Sequence, residues 1–349
     1  MGRSTALLSD AIDQYLGYLR AKRMADNTVK GTTYLLKGTL ACWGNIQVCN
    51  LQPRHIDRLF AEKGWSPRTH NTNLQIIKAF LAWCRNAGYL PINSDPTFGW
   101  RNQRVPDLDS LRVPIEEFGA LLDACEHPRD RAQVAVGLFL FLRGSELINL
   151  RIGDVDFKRY EVHVYRVKTK QEDTLPMCTE LAEELRPWLN WYRQDRGILR
   201  DDWYLLPSKA KQPFTRVNGK LVRPEGLAPL QPDKRQSHPY RPAQRALEAL
   251  GYDTLREGEH TLRRSGARAY ADSLRAQGYD GALLRVASML GHKDTKQTER
   301  YIGWGLERRQ RNEALAGKSM FGDTLAQASG TILPFVREES DGGSRVAEL

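Results

Sequence analysis

The chain has 349 residues, 41% of them hydrophobic and 27% charged, and a formal charge of +10 at pH 7. It is too long for a single small module and too apolar for a disordered chain; at about 100–200 residues per domain it implies about two domains. A basic excess of this size suits a protein that meets a polyanion, although a solubility charge gives the same total.

Residues 1–106 hold 14 basic and 6 acidic residues, a local charge of +8, while residues 321–349 carry −3 and residues 107–320 the remaining +5. The basic N-terminal third reads as four helices. Leu8, Ile12, Tyr15, Leu16 and Leu19 recur at helical spacing; a second helix is expected over residues 28–41, and a third after Pro53 through Ile56, Leu59 and Phe60. The fourth has Ser66 as N-cap, Pro67 at its first position, an apolar face of Leu74, Ile77, Leu81 and Trp83, and Gly88 as C-cap. Arg54, Arg58, Arg68, Lys78 and Arg85 on these helices form either a solvated face or one that contacts phosphates.

Residues 100–114, with two prolines and little periodicity, read as a linker. Helices are expected over 116–124 and over 130–142, the latter apolar enough to be buried. Short strands follow at 155–157 and 161–167, and residues 174–177 pair back across 169–173 as a small antiparallel sheet. A helix over 181–191 precedes a long basic, proline-rich loop at 207–242, within which Asn218-Gly219 marks a small hairpin. From residue 242 to about 316 the pattern is helical again.

The five cysteines, Cys42, Cys49, Cys84, Cys125 and Cys178, are odd in number, scattered and without a C-x-x-C pair, which argues against a disulfide framework or a zinc site. The longest apolar run, residues 134–142, is about half of what a bilayer requires. The N-terminus carries no signal-peptide pattern, and Ala6 breaks the myristoylation motif. A cytoplasmic protein without a membrane partner is expected.

Four segments carry polar residues where buried helices or hairpins end, and each taken singly has a plain structural reading. Arg143 and Glu146 look like an ion pair. Lys168 and Lys170 look like a solvated turn, and His260 and Arg263, at i and i+3, like a helix surface pair able to reach one ligand. Leu290-Gly291-His292, followed nine residues later by Tyr301, looks like packing. In this order, however, Arg143, Lys168, His260-x-x-Arg263, Leu-Gly-His292 and Tyr301 resemble the signature of the tyrosine recombinase (phage integrase) family, with Lys168 eight residues before Pro176 as in that family. The resemblance covers about residues 8–316.

The resemblance implies an all-α, SAM-like core-binding domain over residues 1–104 and a linker over 105–114. It further implies a mainly α catalytic domain with a small antiparallel β-sheet over 115–320, an α+β fold, followed by an acidic tail at 321–349. It implies a site-specific DNA recombinase that passes through a 3′-phosphotyrosyl link and a Holliday junction. Tyr301 would be the nucleophile, Arg143 and Arg263 would hold the phosphate oxygens, and His260 would accept a proton. Lys168 would protonate the leaving 5′ oxygen, His292 would hydrogen-bond the phosphate, and Glu146 would hold Arg143 in place. Elementary chemistry agrees: guanidinium forks match phosphate oxygens, and a tyrosine hydroxyl with a pKa near 10 needs a cationic site and a proton acceptor. No step needs a metal or another cofactor, and no two-metal carboxylate cluster or nucleotide-binding loop is present in the sequence.

Expected partners are double-stranded DNA with a specific core site, a homotetramer on two duplexes, and an accessory directionality factor. Arg68, Lys78 and Arg85 become candidates for DNA contact, and residues 332–336 for docking on a neighbouring protomer. An extra arm-binding domain finds no room before the first helix. Two alternatives stand beside this reading: a type IB topoisomerase-like nicking and resealing enzyme, and a non-catalytic DNA-binding protein.

Overall fold

The computed structural model describes residues 6–106, 110–212, 215–217, 220–222, 226–255 and 257–304. The chain divides into two compact units, Met1–Leu108 and Asp109–Leu349. The acidic tail and the 332–336 segment lie outside the described residues.

The first unit is built from α1 (Leu8–Ala21), α2 (Asp26–Trp43), α3 (Pro53–Lys63) and α4 (Pro67–Asn86). Their apolar faces meet in one core in which Leu8, Ile12, Leu36, Ile56, Leu74, Ile77, Phe80 and Leu81 are at most 1% exposed. Trp83, expected on that face, packs against the core only half-buried. The Ser66 hydroxyl caps α4 by accepting from the Thr69 N–H at 3.5 Å, and Pro67 opens the helix. At the far end the cap is Ala87, one residue earlier than expected, and Gly88 follows it at φ +77°. Trp100 belongs to this fold rather than to a linker, because its ring lies on Phe60 and His70 and its indole N–H donates to Asp57 at 2.9 Å.

The second unit opens with α5 (Phe118–Asp123), entered through a 3₁₀ turn at Ile115–Glu117, and α6 (Pro128–Phe139). α6 ends three residues earlier than the apolar run suggests. Phe141 turns to φ +51°, sending its ring into a small cluster with Ala267 and Tyr270 while the main chain leaves the helix axis. Arg143 therefore does not end α6; it is the N-cap of the one-turn helix α7 (Gly144–Leu147). Strands β1 (Val155–Asp156), β2 (Glu161–Arg166) and β3 (Gln171–Pro176) form an antiparallel sheet in that order, with Arg166 opposite Gln171. β3 starts three residues earlier than the sequence suggests, because the turn closes tightly at Lys170, whose N–H reaches the Arg166 carbonyl at 2.7 Å.

Beyond the sheet lie α8 (Thr179–Arg196) and the pairs β4 (Ser208–Lys209) with β7 (Leu230–Gln231) and β5 (Thr215–Val217) with β6 (Lys220–Val222). Val217 pairs with Lys220, and the Asn218-Gly219 turn between them lies outside the described residues. α9 (Tyr240–Ala249), α10 (Glu259–Ala276), α11 (Ala282–Leu290) and α12 (Thr295–Ile302) complete the unit. Two glycines let α6 and α10 cross at close range. A Cβ at Gly266 would overlap the Leu138 carbonyl, and one at Gly137 would meet Leu262 Cδ1 at 3.0 Å. This crossing brings the first turns of α10 to the exit of α6.

Candidate active site

Arg263 is the most deeply buried cation among the described residues. Only 1% of its surface is exposed, and its guanidinium donates to the Phe141 carbonyl at the exit of α6 and to the Leu290 carbonyl at the end of α11, the latter at 2.7 Å. The left-handed turn at Phe141 is what aims the first of those carbonyls. One turn earlier on α10, His260 is exposed. The Tyr301 hydroxyl on α12 lies 3.4 Å from the His260 carbonyl, and the Arg263 Cζ lies 5.8 Å from the Tyr301 ring centre.

Glu146 gathers the cations around Arg263. Its fully buried carboxylate accepts from the Arg143 guanidinium at 2.8 Å and the Arg143 N–H at 3.0 Å, and from Arg166 at 3.2 Å, with Arg263 3.8 Å away. Burial alone would raise its pKa, but the Arg143 hydrogen bonds and the Arg143 and Arg166 charges hold it below the usual carboxylate range. The carboxylate therefore stays ionised, and one negative charge sits among three guanidinium groups.

His292 follows Gly291, whose φ of +62° ends α11 in the left-handed conformation that favours glycine. Its Nδ1 is 3.0 Å from the Thr298 hydroxyl, and its ring stands perpendicular to the Tyr301 ring at 5.5 Å between centres. Burial, then the charges of Arg263, Arg143, Lys168 and Arg166, push its pKa down to about 4. Desolvation of the ring by its neighbours, then the charges of Arg263, Arg264 and Arg143, likewise depress His260, although the residue as a whole is exposed. Both imidazoles are thus neutral at pH 7. Tyr301 is raised by burial, against the pull of Arg263 and Arg264.

Lys168 is exposed in the β2–β3 turn. Lys170, the last residue of that turn, adopts φ +55° and closes it, so its backbone has a structural task that Lys168 lacks. The structure thus brings Arg143, Glu146, Lys168, His260, Arg263, His292 and Tyr301 together in the second unit. The three basic residues expected to touch DNA lie in the first unit and differ among themselves. Arg68 is exposed, but Lys78 donates to the Trp100 carbonyl at 2.8 Å, and Arg85 to the Ser94 carbonyl at 3.0 Å with Asp95 at 3.8 Å. The same unit has a cavity of about 620 Å³ lined by Lys30, Lys37 and Lys63 with Tyr34 and Trp65, none of which sequence reasoning singled out.

Two residues of the site were missed. Arg166 is 4% exposed and ties three elements together: it bonds Glu146, the Asp173 carboxylate at 2.9 Å and the Met289 carbonyl at 2.7 Å. Its signal was present, since Val162, Val164 and Arg166 alternate onto the buried face of β2 and an arginine there is out of place. Glu259, beside His260, is buried between α6 and the start of α7; it accepts from Gln133 at 2.6 Å, and its Oε2 has no partner among the described residues. Burial pushes its pKa up to about 8, so it is mostly protonated at pH 7.

The fold and the cation cluster define the class: a mainly helical enzyme unit that presents a tyrosine among phosphate-complementary cations. The solved structure of a lambda integrase dimer bound to a COC′ core site has the same fold, with a TM-score of 0.63 over 86% of this chain and 78% of that one at 15% identity. The chain belongs to the phage integrase family, whose model matches residues 112–304, and with it to the tyrosine recombinases, enzymes of site-specific recombination. Among its relatives, the tyrosine recombinase XerA of Pyrococcus furiosus is 26% identical over 63% of this chain and 72% of its own length. A tyrosine recombinase of Pseudothermotoga lettingae is 25% identical over 81% of this chain and 90% of its own. No helix among the described residues is long and apolar enough to cross a membrane.

Proposed function

We propose that the second unit cleaves and rejoins DNA with Tyr301 as nucleophile. The observation that carries this reading is the placement of the Tyr301 ring against both Arg263 and His292, with Arg143 held beside them through Glu146. The Tyr301 oxygen attacks a backbone phosphorus, the bond to the 5′ oxygen breaks, and a 3′-phosphotyrosyl link forms. Arg143 and Arg263 offset the charge that develops on the non-bridging oxygens, and His292 donates to one of them. His260, neutral at pH 7, takes the tyrosine proton. Lys168, on the exposed turn, delivers a proton to the leaving 5′ oxygen. Arg166 is a positioning residue: it holds the strand leading to Lys168 against Glu146 and against the end of α11 that precedes His292.

The link conserves the energy of the broken bond, so the 5′ hydroxyl of a second strand reverses the step and joins a new partner. Repeated on two duplexes, this makes and resolves a Holliday junction within a homotetramer on a specific core site. Support for that assembly comes from the family and from the lambda integrase dimer bound to a core site that shares the fold. Unit 1 serves as the core-binding domain, with Arg68 and the Lys30, Lys37 and Lys63 cavity as its phosphate contacts.

The test uses nicked duplexes cut from the DNA flanking the reading frame, scored for a covalent protein–DNA adduct on a denaturing gel. Wild-type protein forms the adduct and Tyr301→Phe forms none; an adduct with the variant overturns the assignment. On the same substrates Lys168→Ala slows adduct formation by about 10²–10⁴-fold, the usual range for loss of a positioned proton donor. Lys170→Gly, which suits φ +55°, leaves it unchanged.

A further inference from the structure

A second concentration of positive charge lies at the other end of α6. The first turn of α6, the β4 strand, the loop before α9 and the start of α9 line an open pocket of about 150 Å³. Its lining includes Arg129, Asp130, Lys209, Ser237, Arg241 and Arg245. At 1.5 Å per residue, the twelve residues of α6 separate it from the Tyr301 cluster by about 18 Å.

The pocket is a built site rather than a stretch of charged surface. Arg129 is 4% exposed; its guanidinium pairs with Asp130 and donates to the Pro207 carbonyl at 3.3 Å, while its Nε–H has no partner among the described residues. Burying an arginine and leaving one of its donors unmet is costly unless something else satisfies it. Asp130 is the one carboxylate in the lining. It also receives the Lys209 ammonium at 2.7 Å and lies 4.0 Å from the Arg245 guanidinium. Four cations thus share one counter-charge, and two of them, Arg241 and Arg245, stand exposed at the rim. Ser237 adds a hydroxyl. Since a water occupies about 30 Å³ of liquid, the volume admits one tetrahedral oxyanion with a few waters.

We propose that this pocket is a second anion site of the catalytic unit and seats one phosphate group. The phosphate is either a backbone diester of the bound duplex or a free phosphate or pyrophosphate. The duplex source rests on the recombinase reading above; the free-anion source stands without it. In either case the group completes the coordination of Lys209, Arg241 and Arg245 that Asp130 alone leaves unfinished.

Arg241→Gln/Arg245→Gln tests it, because both side chains are exposed and the variant keeps the buried Arg129–Asp130 pair. Two measurements on the full chain separate the sources. In the first, binding to a random-sequence duplex is followed as a function of salt. If a DNA phosphate occupies the pocket, affinity falls about tenfold, and the slope of log K against log salt shrinks by about one for the phosphate lost. In the second, millimolar inorganic phosphate or pyrophosphate at matched ionic strength raises the melting temperature of the wild type but not of the variant if the site takes a free anion. Duplex binding with unchanged slope and affinity, together with no anion-dependent stabilisation of the wild type, overturns the proposal. Adduct formation by the variant at saturating protein isolates this result from any failure of the Tyr301 assignment.

Discussion

The two units solve the burial problem in opposite ways. In the first, the buried positions among the described residues hold no Asp, Glu, Lys or Arg, and the buried polar side chains are Thr32, Thr39, His70 and Thr97. In the second, Arg129, Asp130, Glu146, Arg166, Glu259 and Arg263 are all buried. The first core is a hydrophobic one, whose stability scales with apolar area and tolerates repacking. The second contains a charged network whose members depend on one another, because a buried ion that loses its partner keeps its desolvation penalty and gains nothing in return. An enzyme that must bind a phosphate needs cations already desolvated and fixed before the substrate arrives, and the second unit accepts that strain at the site of chemistry.

The sharpest way to break this comparison is Glu146→Ala. It leaves Arg143, Arg166 and Arg263 facing one another without their shared carboxylate. Loss of one partner from a buried pair typically destabilises by about 3–5 kcal/mol, and a similar loss is expected here in chemical denaturation of the second unit. The same variant forms no Tyr301–DNA adduct, since Arg143 loses both its side-chain and its backbone anchor. A stability within about 0.5 kcal/mol of wild type would show that the arginines are held by packing and by the Phe141, Leu290 and Met289 carbonyls instead.

The contrast also explains what could be read in advance. The four helices of the first unit were legible because an amphipathic helix writes its buried face into the sequence at a spacing of three and four, and Ser66-Pro67 marks a start by local chemistry alone. The signature residues of the second unit were legible by order and spacing. What escaped depends on long-range contacts. The apolar run into Leu142 says helix, and nothing local reveals that Arg263, 122 residues later, draws the Phe141 carbonyl out of the helix. The bond from Arg166 to the Met289 carbonyl spans 123 residues. For Glu259 the sequence offers an ordinary acidic residue in a helix first turn, which is normally exposed, and only the close crossing of α6 and α10 turns it into a buried acid.

Glu259 supplies the next prediction, through the pH dependence of stability. Its folded pKa of about 8 lies above the 4.5 of a solvated glutamate, so between those limits the folded state holds a proton that the unfolded state has released. Stability contributed by this group is therefore lost as pH rises from about 5 to 8, by at most about 1.4 kcal/mol per pH unit. Glu259→Gln removes that dependence. The melting temperature of the variant relative to wild type should climb by about 5 °C between pH 5.5 and 7.5. Because the measurement is a slope, a constant packing penalty from the new amide does not disturb it. Parallel curves for the two proteins would mean that the Glu259 carboxyl ionises in the folded state as it does in the unfolded chain, and would add it to the buried charges of the second unit.

The smallest effect belongs to the first unit and tests whether its stability is as local as its sequence signals. Ser66 is exposed, its hydroxyl meets one orphan donor of α4 at the long distance of 3.5 Å, and Thr69 adds a hydroxyl contact at 3.1 Å. A cap of this kind is worth about 0.5–1 kcal/mol, at the low end of the usual range because water satisfies the freed N–H once the serine is gone. Ser66→Ala should lower the unfolding free energy of unit 1 by that amount, and Ser66→Asp should restore it, since a carboxylate there accepts the same N–H and opposes the positive end of the helix. Neither change should alter the Tyr301 adduct yield at saturating protein. A substitution in this unit that moved the chemistry without moving DNA affinity would mean that the helical unit does more than fold around its apolar face and hold the duplex.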